Sequence, residues 1–213
     1  MAIEWINGFL GGLLISIAGV VLLLGNGRIL DASRILGSIV DRSSDQAWPE
    51  WLAFILGLVA VPALIQIMIP VETNSTQGTD YLIAAGICVG IGTRMAKGCT
   101  SGHGVSGVSG LSLRGIVATV VYIEASVLFA PGRQPLTGGI FSQKQTEDFD
   151  YKLIVGAILF GIGWGLSGFI PGAAFASLRY SGSASVIFLI SMLVGMRITP
   201  LLHGLLDSFD TTE

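Results

Sequence analysis

Lys97-Gly98-Cys99-Thr100-Ser101-Gly102-His103-Gly104 stands between an apolar helical run, Tyr81 to Met95, and a second one, Leu111 to Ala130. A glycine-rich bend carrying one thiol is a poor filler for a core. At the end of a hydrophobic segment it does something else: it brings backbone N–H groups and a soft sulfur to whatever passes along the segment. Whether this stretch is an interfacial loop or a break inside a membrane decides the fold.

Composition points to a membrane. The 213 residues are 52% hydrophobic and 12% charged, against about 25% charged in an average soluble domain. Gly8 to Leu24, Leu153 to Leu178 and Tyr180 to Met196 carry no charge at all, and a span takes roughly 20 mainly apolar residues. Trp51 to Ile69, Gly115 to Ala130 and the shorter Tyr81 to Met95 bring the expected number of spans to about six. The first run lacks the basic flank and cleavage site of a secretory signal and reads as a retained helix. The Lys/Arg bias places the N-terminus outside, with Arg133, Lys144 and Lys152 against that orientation. No basic nucleic-acid footprint is present. The two cysteines, Cys88 and Cys99, make no disulfide framework.

Three interruptions break the helix-and-loop pattern. Gly25-Asn26-Gly27 ends the first run, after which Arg28 to Ile39 keeps helical spacing; glycines, serines and a threonine crowd Gly98 to Gly110; Gly168-Phe169-Ile170-Pro171-Gly172 cuts the long run before Ala173 to Leu178 resumes as a half-helix. Pro171 suits the first turn of that half-helix, where a missing N–H is no loss. Irregular backbone at membrane depth survives only inside protein or along a watery cavity. Half-helices starting there aim free N–H groups inward and favour an anion. Interfacial loops are the plain alternative. An internal repeat is also visible: Gly90-Ile91-Gly92 and Gly161-Ile162-Gly163 stand 71 positions apart, and at that offset Cys99 falls opposite Ile170 and Gly102 close to Gly172. The expected architecture is therefore an all-α integral membrane protein with re-entrant half-helices and a pseudo-repeat.

The thirteen residues Gly92 to Gly104 resemble the GCTSGHG signature of the YeeE/YedE family of sulfur-transport membrane proteins, and Leu111-Ser112-Leu113-Arg114 fits the stretch that follows it there. Gly25-Asn26-Gly27-Arg28-Ile29 resembles the family's first re-entrant element. Gly156 to Gly168, reading GAILFGIGWGLSG, is similar to its GxxLFGxGWGLxG pattern. The likeness runs from about residue 8 to about residue 200. It implies a helical bundle narrowed by re-entrant loops and import of thiosulfate or a related reduced sulfur anion along a cysteine-lined constriction. It also implies a first repeat over residues 1–130, a polar connection over 131–152 and a partial second repeat over 153–213. This chain departs from the family pattern in three ways. The second half has Ile170-Pro171-Gly172 where the family has Cys-Pro-Gly; Leu30 and Asp31 intrude on the first element; and the second half lacks its opening span and loop.

Carried over, the resemblance makes Cys99 the principal substrate contact. A neutral thiol is a weak donor and a polarisable acceptor, apt for the soft terminal sulfur of thiosulfate; a buried small hydrophobe is the alternative. Gly98, Thr100, Ser101, Gly102 and His103 complete the expected substrate-binding set: hydroxyl donors, backbone approach at the glycines, and a histidine equally suited to structure or function. One His beside one Cys is too few for a structural zinc site, and neither metal nor cofactor is expected. Cys88, Glu124 and Pro171 are accessory positions: Cys88 reads first as packing, and Glu124 is an intramembrane carboxylate and so a functional position by default. Arg94 and Lys97 are expected to snorkel, Trp48 and Trp51 to sit in an interfacial belt, and Trp164 to pack helices. The expected partners are a small sulfur-containing anion and lipid of the cell (inner) membrane, with room for a second copy or a companion sulfur-carrier protein. The expected function is a non-enzymatic transporter or channel. A transport-deficient interaction subunit, or a sulfur-transfer protein working through a Cys99 persulfide, are the competing readings.

Overall fold

The computed structural model describes residues 2–26, 30–41, 48–68, 78–129 and 151–210. Gly27, Arg28 and Ile29, Arg42, the acidic loop before Gly78 and nearly all of the polar connection over 131–152 lie outside the described residues. Among those described, all regular structure is helical: α1 (Ala2–Asn26), α2 (Ala32–Asp41), α3 (Trp48–Met68), α4 (Thr79–Met95), a π-helix (Thr100–Gly107), α5 (Leu113–Phe129), α6 (Tyr151–Ser167), α7 (Pro171–Ala176) and α8 (Ser183–Asp210). Five of the six apolar runs are each carried by one helix and the sixth, Leu153 to Leu178, by α6 and α7 on either side of its break; each interruption leads into a short helix. Residues 5–25, 151–176 and 183–201 are long and apolar enough to cross a membrane; α4 and the π-helix qualify together, bent by 49° at the thiol-bearing stretch, and Trp51–Ile67 forms a shorter apolar helix.

The bundle is built on α4, which packs on both α6 and α8, while α6 also packs on α5. Glycine makes this possible. A Cβ on Gly90 would strike the backbone of Met192, and one on Gly92 the backbone of Phe160 and Gly156. Gly163 returns the contact, since a Cβ there would stand 2.6 Å from Ala85 O; Gly161 lies against Tyr122 O of α5. The two copies of the Gly-Ile-Gly repeat are thus the surfaces by which α4 and α6 approach their neighbours. In lipid, where apolar burial supplies no drive between helices, such backbone proximity supplies the van der Waals contact that holds them. Val89, Leu153, Phe160, Phe188, Met192 and Met196 fill the fully buried centre. Tyr122, Phe160 and Trp164 form an aromatic cluster, with Tyr122–Phe160 centroids at 5.3 Å and Tyr122–Trp164 at 6.0 Å, so Trp164 is a packing residue. Trp51 is buried rather than set in an exposed belt.

Broad apolar faces remain outward. On α1 these include Trp5, Phe9, Leu14, Val21 and Leu24; on α3 Leu56, Leu64 and Ile67; on α8 Ile190 and Leu201. Such a surface suits lipid. Together with the apolar spans it makes this an integral membrane protein.

The second and third breaks have a capping geometry. α4 ends at Ala96, and Lys97 adopts φ 57°. Gly98 N–H then donates to Thr93 O at 3.0 Å and Lys97 N–H to Arg94 O at 3.3 Å, the paired bonds of a Schellman ending. The π-helix segment ends the same way: Leu111 has φ 53°, Ser112 N–H donates to Gly107 O and Leu111 N–H to Val108 O. α6 stops at Gly168, φ 72°, whose N–H donates to Trp164 O at 2.7 Å. Pro171 then opens α7 in its first turn.

Candidate substrate site at three half-helix starts

Three short helices begin side by side. α2 starts after Asp31, the π-helix after Cys99 and α7 after Ile170. Cys99 (φ −128°, ψ −166°) and Ile170 (φ −125°, ψ 160°) share an extended N-cap conformation. Each also accepts the first helical bond from the residue four places on: His103 N–H to Cys99 O and Ala174 N–H to Ile170 O, both at 2.8 Å. The repeat offset that pairs Cys99 with Ile170 in sequence therefore pairs them in backbone role.

All three starts line one cavity of about 460 Å³. Leu30 and Ala32 come from the first, Cys99, Thr100 and Ser101 from the second, and Ile170, Gly172 and Ala173 from the third; Leu14, Ile15 and Ala18 of α1 and Phe54 and Leu58 of α3 form much of the remaining wall. A neighbouring cavity of about 680 Å³ between α1 and residues 104–110 shares Ile15, Leu30 and Val105 with it.

Cys99 is buried, 2% exposed, yet its surroundings are polar on one side and open to the cavity on the other. The thiol donates to Asp31 Oδ1 at 3.5 Å and lies 3.1 Å from Ser101 Oγ. With the single thiol proton committed to the carboxylate, the Ser101 hydroxyl is the donor in the second contact. Ser101 Oγ also accepts the N–H of Ala32 at 3.1 Å, and Ser106 Oγ donates to Leu30 O at 3.1 Å. The start of α2 and the π-helix are thereby stitched into one unit.

Of the six residues expected to contact substrate, Cys99, Thr100 and Ser101 line the cavity, whereas Gly98, Gly102 and His103 stand behind it. The Asp31 carboxylate fills the space that a Cβ on Gly102 would need, and a Cβ on Gly98 would lie 2.7 Å from His103 Nε2. His103 is buried and its Nε2 donates to Ala96 O at 3.1 Å, the same carbonyl that Arg114 reaches at 3.3 Å. It clamps the end of α4 to the π-helix. Cys88 is half-buried on α4, Glu124 lies on the exposed face of α5, and Pro171 is buried beneath the start of α7; none of the three lines the cavity. Arg94 does not simply snorkel: it pairs with Asp41 across the space left by Gly37, while Lys97 is exposed. Among the described residues no cluster of His, Cys, Asp or Glu is arranged to hold a metal ion.

The residue that sequence reasoning passed over is Asp31. Read as an intrusion, it is 3% exposed and caps α2: Oδ1 accepts Ser33 N–H at 3.1 Å, Ser33 Oγ–H at 2.8 Å and Arg34 N–H at 3.2 Å. The signal was present, since an Asp immediately before an apolar-periodic segment is a helix-start residue.

Residues 55–128 match the sulphur-transport family, and residues 110–209 match a family of unknown function, DUF6691. A probable transporter of Xylella fastidiosa strain 9a5c is 38% identical over 129 residues, 60% of this chain and 93% of that relative. A probable transporter of the Temecula1 strain is 39% identical over 129 residues with the same coverage. A further probable transporter of that strain is 35% identical over 66 residues, 31% of this chain and 45% of the relative. No solved structure matches. With its apolar spans, its broken helices and these likenesses, the chain belongs to the YeeE/YedE-type sulphur-transport family of integral membrane proteins.

Proposed function

We propose that this protein is a transporter for a small sulfur-containing anion, thiosulfate being the best chemical match, and that the anion passes Cys99 at a constriction between the three half-helix starts. The observation that carries this reading is the common cavity, whose otherwise apolar wall includes Cys99, Thr100 and Ser101 at the second start. Turned from their resting partners, Asp31 and Cys99, the Cys99 S–H and the Ser101 O–H suit an anion with one soft and several hard ends. The cavity's 460 Å³ leaves space for a small oxyanion and part of its hydration, one water occupying about 30 Å³ of liquid. Gly98, Gly102 and His103 hold the bend, and Cys99, Thr100 and Ser101 make the contacts. The first repeat, residues 1–130, supplies the starts at Asp31 and Cys99, and the partial second repeat, 153–213, the start at Ile170.

The test is uptake of radiolabelled thiosulfate into liposomes holding the purified protein. Cys99→Ala should lower the initial rate at least about tenfold, the factor that loss of about 1.4 kcal/mol at the constriction gives. Undiminished uptake in that variant overturns the thiol mechanism.

A further inference from the structure

Two outward faces of the bundle each carry one charge on an otherwise apolar surface. Glu124 is exposed on α5 beside Val120 and Ile123; Arg197 is exposed on α8, on the stripe of Val186, Ile190, Val194 and Ile198. Spacings of three and four place each set on a single helix face. Among the described residues neither charge has an ion pair within the chain.

The glycine contacts give the depth of both. α5 and α6 run parallel, with Gly161 against Tyr122 and Gly165 against Ser126. Glu124 is therefore level with Gly163, which packs against Ala85 and Val89 at the middle of α4. A carboxylate facing hydrocarbon at that depth is costly, and such groups pair within protein. α8 runs parallel to α4, with Gly90 against Met192 and Met196, and Gly195 against Ile87. Arg197 thus stands about one turn, roughly 5 Å, beyond the level of Glu124, a distance that the long arginine stem covers. α4 and α6 are antiparallel, since Gly92 meets Phe160 and Gly163 meets Ala85, so α5 and α8 are antiparallel too. α5 packs on α6, α6 on α4 and α4 on α8. The two charged faces therefore stand at opposite ends of that row and do not meet within one chain.

We propose that they meet between chains: the α5 face of one copy packs on the α8 face of a second copy in the membrane, and Glu124 pairs there with Arg197. Charge complementarity carries the argument. One chain presents both signs, at matching depth, on apolar faces that point away from each other. Pairing removes the cost of a bare carboxylate in lipid and fixes the register of two faces that apolar contact alone would leave free to slide. The contact is heterologous, one face against a different one, and copies held in the plane of a membrane close such a contact into a ring.

Oxidative crosslinking of the full chain in native membranes tests the proposal. Ile123→Cys and Val194→Cys in one chain put thiols at matching depth on the two faces. Copper-phenanthroline should then give a ladder of dimers and higher species on non-reducing gels. Each single variant should stay monomeric, as should the wild type, whose Cys88 is half-buried and Cys99 buried. Val120→Cys with Ile198→Cys is a second pair on the same faces and should give the same ladder. Added to either pair, Glu124→Arg or Arg197→Glu should lower the crosslinked fraction at least about fivefold, the factor that about 1 kcal/mol gives, and the two reversals together should restore it. Glu124→Gln, which keeps the shape and removes the charge, should lower it as well and serves if the reversed variants insert poorly. No ladder from either cysteine pair overturns the interface. Crosslinks in the single variants mean that a face meets its own copy and overturn the pairing of α5 with α8. A ladder unmoved by all three charge substitutions overturns the pairing of Glu124 with Arg197.

Discussion

At the scale of single residues the site is a set of helix-start positions with unlike side chains: Asp31, Cys99 and Ile170. The thiol was legible because glycines and hydroxyls surround it in sequence. The carboxylate was not, because an aspartate in an apolar neighbourhood reads as a disturbance until its partners are known, and those partners are 68 and more positions away or hidden in backbone amides. His103 was equally suited by its sequence to structure or function; in the structure its ring locks two backbone segments. Lys97 is a residue whose conformation works against its type. Its φ of 57° lies where a side chain with a Cβ costs roughly 1–2 kcal/mol. Lys97→Gly should therefore stabilise the protein by about 1 kcal/mol, part of the relief being offset by the greater freedom of glycine in the unfolded chain. A rise in the midpoint of thermal unfolding in detergent checks it, and a fall would mean that the Lys97 ammonium has a stabilising partner outweighing the backbone strain.

Among the helices the decisive fact is which ones touch through backbone. Apolar runs alone locate the helices but do not order them, since every face of a membrane helix is apolar and amphipathic periodicity gives no inward direction. Glycine does give one. Gly86, Gly90 and Gly195 join α4 to α8, and Gly92, Gly156 and Gly163 join α4 to α6; three of these six, Gly90, Gly92 and Gly163, belong to the paired Gly-Ile-Gly motifs. A Cβ on Gly92 meets main-chain atoms of Phe160 and Gly156, which cannot rotate away, whereas one on Gly172 meets nothing nearer than Ala32 Cβ at 3.9 Å. Gly92→Ala should cost about 1–3 kcal/mol as an overpacked contact and appear as a lower unfolding midpoint. Gly172→Ala, at a cavity wall, should leave stability within about 0.5 kcal/mol of wild type and so barely move that midpoint. Equal effects of the two substitutions would mean that α4 and α6 are free to separate by the width of a methyl group.

For the whole molecule, the two halves of the chain meet at one cavity although they are unequal in content. α1, α2, α4 and the π-helix bring two helix starts to it, and α6 and α7 bring the third. The likeness between the halves was faint in sequence because little beyond the glycines that set helix approach and the helix-start positions is shared; the side chains between them differ even where they are buried, as Thr93, Met95 and Ala96 are in one half and Ser167 in the other. At the start contributed by the second half, Ile170 presents a branched hydrocarbon in the backbone conformation that Cys99 holds in the first. A hydrocarbon there offers an anion no donor and takes up volume in the cavity. Ile170→Cys removes that bulk and supplies a second S–H at the equivalent position, so a relay of two thiols would replace one. The initial rate of thiosulfate uptake into liposomes should rise several-fold, the gain of one weak hydrogen bond of about 1 kcal/mol at the barrier being worth a factor of about five. The gain should vanish in the Cys99→Ala background, because a relay needs both members. An unchanged rate in Ile170→Cys would place the limiting step elsewhere, and a gain that persists without Cys99 would show that the third start alone conducts the anion.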